Sequence, residues 1–120
     1  MAKYILDGQT FKTLVTNGCQ SLINDIDRIN ALNVFPVPDG DTGTNMKMTI
    51  EGGVKAIISD DQPSIGLMSK KLSRAMTMSA RGNSGVILSQ IIRGIAKSIE
   101  GKEKLSSEDL AKAFYELGRK

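Results

Sequence analysis

Apolar residues in this chain recur three and four positions apart in five successive stretches. Nowhere do they alternate in the strict period of two that a half-buried strand requires. Residues 9–32 carry the first stripe, through Phe11, Leu14, Val15, Leu22, Ile23, Ile26, Ile29 and Leu32. Gly18 and Cys19 fall on that face, where small side chains would permit close packing. The second stripe begins near Thr44 and runs to about Ser59, with Met46, Ile50, Val54, Ile57 and Ile58 inward. The adjacent Gly52 and Gly53 inside it cost about 1 kcal/mol each against Ala. Close contact with a neighbouring helix explains why they stand there. The third spans about 65–79, capped by Ser64 and using Leu67 or Met68, Leu72, Ala75 and Met76. The fourth runs from about Ser84 to Ile99 through Val86, Ile87, Ile91, Ile92 and Ile95, with Gly101 as its stop. The fifth starts at Ser106. Asp109 completes a capping box there, Leu105 and Leu110 fit a hydrophobic staple, and Ala113, Phe114 and Leu117 face inward with Leu110. The pattern predicts an all-α fold of antiparallel amphipathic helices joined by short loops.

Composition narrows the chemistry. With 40% hydrophobic but only 4% aromatic residues and no Trp, the core must be aliphatic. There is no His, which removes the commonest general base and the commonest transition-metal ligand. Any reaction must use carboxylates, hydroxyls, amides, Lys or Arg. Cys19 is alone, so no intramolecular disulfide forms, which suits a reducing, cytoplasmic setting. No charged-then-apolar leader pattern opens the chain, and no apolar run approaches the ~20 residues of a membrane span, so stable membrane insertion is not expected. The formal charge of +3 makes no case for nucleic acid. The clusters Lys70-Lys71-Arg74 and Lys102-Lys104 read as solvated helix faces.

Two loops interrupt the helices. In "NVFPVPDGDTGTN", residues 33–45, Pro36 and Pro38 forbid helix and stiffen the chain on either side of Val37. Asp39 and Asp41 flank Gly40, and two carboxylates so close repel unless a cation sits between them. Oxygen ligands without imidazole or thiol favour Mg²⁺, Mn²⁺ or Ca²⁺. An EF-hand fits poorly, because Thr44 and Ile50 fall where its glycine and bidentate glutamate belong. The competing reading is an Asx-rich turn that caps the second helix. In "SARGNSG", residues 79–85, Gly82 and Gly85 allow close backbone approach, Asn83 and Ser84 offer side-chain donors, and Arg81 adds a charge. Glycines before a helix N-terminus make an anion site from unpaired N–H groups and the helix dipole. The competing reading is a plain turn with Ser as cap. In an up-down array the second and fourth helices start at the same end, where the two loops can meet.

The segments "INALNVFPVPDGDTGTNMKMT" and "SARGNSGVILSQIIRG" closely resemble the nucleotide-binding domain of bacterial fatty acid kinases, in the superfamily of the ATP-binding L subunit of dihydroxyacetone kinase. The likeness begins near "ILDGQTF" and continues to the C-terminus. It implies an eight-helix up-down barrel, of which residues 1–120 would be the N-terminal part, about five helices of a truncated kinase ATP-binding domain. By the same resemblance Asp39 and Asp41 hold Mg²⁺, and with Arg81 they are the catalytic candidates. Thr42, Gly43, Thr44 and Asn45 lie beside the phosphates and nucleotide of ATP, and Gly82, Asn83, Ser84 and Gly85 form the phosphate-contacting loop. Thr42 stands where the dihydroxyacetone kinase pattern has a His, and a third metal-binding aspartate of that subunit has no clear match, Asn33 being the nearest polar residue. The implied reaction is phosphorylation of a fatty acid carboxylate, presented by a separate carrier protein, to an acyl phosphate. A carboxylate with a reference pKa near 4 is already ionised and needs no general base, which agrees with the missing His. The alternatives are a hydroxy-ketone kinase subunit and a nucleotide-binding fragment without turnover. A partial barrel would leave apolar flanks, so the chain is expected to self-associate as a homo-oligomer.

Overall fold

The computed structural model describes residues 5–31, 40–106, 108, 109, 111, 112 and 115. It is all-helical apart from one minimal ladder. In chain order the elements are β1 (Ile5–Leu6), α1 (Gly8–Asn24), α2 (Ile26–Ala31), α3 (Thr42–Ile57), α4 (Ile65–Ser79), α5 (Gly82–Ser98) and β2 (Leu105–Ser106). The two-residue strands pair antiparallel, Leu6 opposite Leu105, and bury both leucines. A ladder this short leaves no alternation to read, so the sequence gives no sign of it.

Local chemistry starts α1 and α4. Asp7 caps α1, its Oδ1 accepting from the Thr10 N–H at 2.9 Å. Ser64 caps α4 by accepting from the Leu67 N–H at 3.3 Å, as its sequence position suggests. The capping box at Ser106 forms: the Ser106 N–H donates to Asp109 Oδ2 at 3.3 Å and the Asp109 N–H donates to Ser106 Oγ at 3.2 Å. Residues 108, 109, 111, 112 and 115 are helical, whereas Leu110, Ala113, Phe114 and Leu117 lie outside the described residues. At the far end of α3, Lys12 Nζ donates to the carbonyls of Ile58 and Asp60 at 3.2 and 2.8 Å, a cation on the negative end of a helix dipole.

The first stripe is not one helix. It breaks at Asp25, whose N–H is shared between the carbonyls of Ser21 and Leu22, both at 3.2 Å. Asn24 and Asp25 compete with the backbone for hydrogen bonds and weaken a helix interior. The break re-aims α2 so that it packs on the start of α3.

Helices α3, α4 and α5 pack on one another, with α1 against α3 and α4. Ile57, Ile65, Met68, Leu72 and Met76 are wholly buried, each contributing about 1.5–3 kcal/mol. A second cluster joins Leu6, Ile65, Ile95, Ile99 and Leu105, and Phe11 touches both. Gly53 explains the tightness: a Cβ there would run into the side chains of Met76 and Leu72, and one at Gly52 into Ser79. The glycines of α3 therefore do admit a neighbouring helix.

Several predicted core positions are not core. Leu14, Ile58, Val86, Ile87 and Ile91 are exposed, as is Leu67, leaving Met68 as the buried member of its pair. The stripes are wider than the faces the described neighbours cover. Gly18 is exposed, and among the described residues nothing approaches where a side chain would go, although Cys19 beside it is buried. No helix among the described residues is long and apolar enough to cross a membrane.

Candidate functional site

The N-termini of α3 and α5 lie side by side. Ser84 Oγ donates to the Thr42 carbonyl at 3.1 Å, and the Arg81 N–H donates to Thr49 Oγ1 at 3.1 Å. The described end of the first loop, from residue 40 on, and the second loop thus meet at one end of the array, with α3 and α5 parallel and α4 returning between them. Of the predicted residues, the structure brings together Asp41, Thr42, Gly43, Thr44, Asn45, Arg81, Gly82, Asn83, Ser84 and Gly85, all at the first turns of these two helices or immediately before them. Asp39, Pro36, Pro38 and Asn33 lie outside the described residues.

Glycine here has a structural cause. Gly82 has φ +64°, a left-handed conformation that disfavours a side chain. A Cβ on Gly82 would strike the Asn45 side chain, and one on Gly85 would strike Thr49 Oγ1. The close approach of α5 to α3 therefore accounts for both glycines, whether or not a ligand also needs them.

What the packing does not explain is the state of the helix starts. Arg81 occupies the N-cap of α5 without a capping bond from its side chain. Helical bonding begins only at Gly85, whose N–H donates to the Arg81 carbonyl at 3.1 Å. The N–H groups of Gly82, Asn83 and Ser84 are the orphan donors that every helix start leaves, and none is bonded among the described residues. Asp41 occupies the N-cap of α3, again with no capping bond from its side chain. The Asx-cap reading therefore does not account for Asp41. The capping task falls to a residue that sequence reasoning missed. Asn30, on α2, accepts from the Thr44 N–H through Oδ1 at 3.1 Å and donates from Nδ2 to Thr44 Oγ1 at 2.9 Å. Thr49 was missed too. It is fully buried, donates to the Asn45 carbonyl at 2.8 Å and accepts from Arg81. Its signal was a hydroxyl adjoining Ile50 in an otherwise apolar stripe.

An end with unpaired N–H groups, two positive helix termini and an uncommitted carboxylate suits an anion and a hard cation together. No group of three or more carboxylate, thiol or imidazole side chains converges among the described residues. Beside Arg81, an open groove of about 560 Å³ is walled by Met48, Met78, Ser79 and Ala80.

These features describe a helical scaffold with two helix N-termini at one end, and comparison with known sequences says which family it belongs to. The chain belongs to the DAK2 domain family, whose model matches residues 36–119, and is a kinase-type nucleotide-binding domain. It is 46% identical over 109 residues to Protein YloV of Bacillus subtilis, covering 91% of this chain and 20% of that protein. Uncharacterized proteins of Staphylococcus epidermidis and Staphylococcus haemolyticus are each 45% identical over the same length and with the same coverage. The chain thus spans about a fifth of the length of the curated relatives it matches.

Proposed function

We propose that the end formed by α3 and α5 binds the phosphates of ATP through Mg²⁺, and that the whole protein transfers the γ-phosphoryl group to a fatty acid carboxylate presented by a carrier protein. The observation that carries this reading is the meeting of the two loops, fixed by the Ser84–Thr42 bond and the Arg81–Thr49 bond. Asp41, with Asp39, would hold the metal. The N–H groups of Gly82, Asn83 and Ser84 would receive phosphate oxygens, and Arg81 would face the developing charge. Thr42, Gly43, Thr44 and Asn45 would border the nucleotide. When bound, Mg²⁺ offsets charge on the transferring phosphoryl group, and positioning supplies much of the remaining rate. Thr42, in place of a His, favours an acceptor that arrives already ionised over an alcohol needing a base. The described helices would be part of an eight-helix up-down barrel.

Calorimetry with Mg²⁺ and ATP tests the binding half. The chain should bind ATP only with Mg²⁺, and Asp41→Ala should abolish binding. Equal ATP affinity without metal, or in the variant, overturns the reading. Acyl phosphate formation by the full-length protein, given a fatty acid and its carrier, tests the acceptor.

A further inference from the structure

We propose that the outer groove between α4 and α5 is a second anion site, distinct from the nucleotide end, that takes a compact soluble polyanion bearing phosphoryl groups. The groove has a volume of about 340 Å³ and is lined by Lys70 and Arg74 from α4 and by Arg93 and Lys97 from α5. The sequence alone assigns Lys70, Lys71 and Arg74 to one solvated face. The fold separates them. Lys71 turns away to pair with Asp60 at 2.7 Å, while Lys70 and Arg74 meet two cations from a different helix.

The register sets the pattern. Helices α4 and α5 run antiparallel, with Gly66 against the backbone of Ile99 and Lys102. One turn inward from there Lys70 comes level with Lys97, and one further turn brings Arg74 level with Arg93. The backbone positions that carry the cations thus stand about 6 Å apart along each helix and one interhelical spacing of about 8–10 Å across. No ion pair engages any of the four among the described residues. Within the groove lining Glu100 is the one carboxylate, at one end, and Glu103 shares the adjoining surface with Lys70. Four cations against one carboxylate leave net +3, as much as the formal charge of the entire chain. Within that lining the like charges repel unless an anion lies between them.

The floor supports a small ligand. It is made by Ser73 and Ala96, 6% and 8% exposed, whose small side chains give the groove its depth. No hydrogen bond engages the Ser73 hydroxyl among the described residues, and no buried side-chain polar atom lacks a partner, so that hydroxyl opens to the groove. Two arginine forks can grip phosphate oxygens bidentately, two lysines add charge, and the hydroxyl can donate from below. The rectangle spans one helical turn and ends at Glu100, which suits a compact polyanion and not an extended nucleic acid track. Arg93 lies eleven residues beyond Gly82, about 16 Å along α5, too far for the same phosphate group to serve both ends.

The test is an NMR titration of the ¹⁵N-labelled chain with inorganic pyrophosphate, without Mg²⁺. Saturable shifts are expected at amides 70–74 and 93–97. Arg74→Gln with Arg93→Gln should weaken that binding at least ten-fold, Lys70→Gln with Lys97→Gln should do the same, and Ser73→Ala should weaken it several-fold. Shifts confined to residues 82–85, an absence of saturation, or unchanged affinity in both double variants would overturn the proposal. A second arm uses phosphatidylglycerol vesicles: co-sedimentation with no pyrophosphate binding assigns the groove to a membrane surface and also overturns it. Because the arginine and lysine heads are exposed, the variants should keep the wild-type circular dichroism, so lost binding reports the site. Mg²⁺-ATP affinity measured in the same variants separates this result from the fate of the nucleotide reading.

Discussion

Thr49→Val isolates the brace between α3 and α5. Thr49 is fully buried, and its hydroxyl accepts from the Arg81 N–H at 3.1 Å while donating to the Asn45 carbonyl at 2.8 Å. Valine keeps the branched shape and removes both bonds. The bond to Asn45 is a back-bond within α3 and its loss costs little. The Arg81 N–H is different, since a donor left without its acceptor costs about 1–3 kcal/mol when buried. This one is only part-buried, which favours the low end. The added methyl returns up to about 0.8 kcal/mol. The net loss should be about 0.2–1 kcal/mol, a fall in Tm of up to about 6 °C for a domain of this size. Thr77→Val is the control, because among the described residues Thr77 makes an i−4 back-bond to Ser73 and no other, and it is exposed, so its change should stay within about 0.5 kcal/mol. Thermal unfolding followed by circular dichroism reads both. Calorimetry should also show weaker Mg²⁺-ATP binding in Thr49→Val, because Arg81 leads directly into the Gly82–Gly85 turn. If the two variants unfold alike and Thr49→Val binds normally, the hydroxyl does not set the start of α5.

Asn30→Ala should destabilise the chain by about 1 kcal/mol, as loss of a capping side chain does, and weaken nucleotide binding although Asn30 lies outside both loops. Chemical denaturation and calorimetry measure the two effects. Asp41→Ala should leave stability nearly unchanged while removing metal-dependent binding, since the Asp41 side chain makes no cap bond; a large drop in Tm would show a structural role instead. Acid should act through the caps. Hydrogen bonds from Thr10 hold Asp7 below the ordinary carboxylate range, and those from Ser106 do the same for Asp109, as the Lys71 ammonium does for Asp60. Depressed folded-state values give stability that is present above the unfolded value near 4 and lost as pH falls through the lower folded ones. Tm should therefore be level above about pH 5 and decline below about pH 4. Burial, and secondarily the charge of Glu51, push the Cys19 thiol up against the opposing pull of Lys47. Its reaction with a disulfide reagent at pH 8 should be at least ten-fold slower in the native chain than in denaturant.

The helices were legible because their stripes and stop signals agree. Ser64, Gly101 and the Ser106–Asp109 pair all stand where the sequence places them. The break at Asp25 was not, because the stripe from Leu22 to Ile26 stays in phase across it, and only the hydrogen bonding shows the turn. The meeting of the loops followed from helix parity alone. The agents that hold them there, Asn30 and Thr49, were invisible for a common reason. Each acts on a backbone group brought from another element, Asn30 on Thr44 and Thr49 on Arg81, and neither pairing has a sequence period. The exposure of Val86, Ile87 and Ile91 was hidden likewise, since a stripe records that a face is apolar and not which neighbour covers it.

The parallel pairing of α3 and α5 carries an electrostatic consequence. Two helix N-termini, each worth about half a positive charge, sit one interhelical spacing of about 8–10 Å apart. Their mutual repulsion is about 0.1–0.5 kcal/mol for effective dielectric constants between 80 and 20. Packing at Gly82 and Gly85 easily exceeds that, so the arrangement holds without a ligand. A single negative charge placed midway, about 5 Å from both ends, gains about 3 kcal/mol at a dielectric constant of 20, before its own desolvation. The same geometry that costs little when empty of charge thus rewards an anion several-fold more. Asn30 occupies one donor of α3, but nothing from the described chain occupies the three of α5. The pull should therefore be strongest at Gly82, Asn83 and Ser84. The three amides of this turn should shift first and furthest when Mg²⁺-ATP is titrated, ahead of those at Thr42 and Gly43. Equal shifts at both termini would mean that the Asn30 cap does not bias the site.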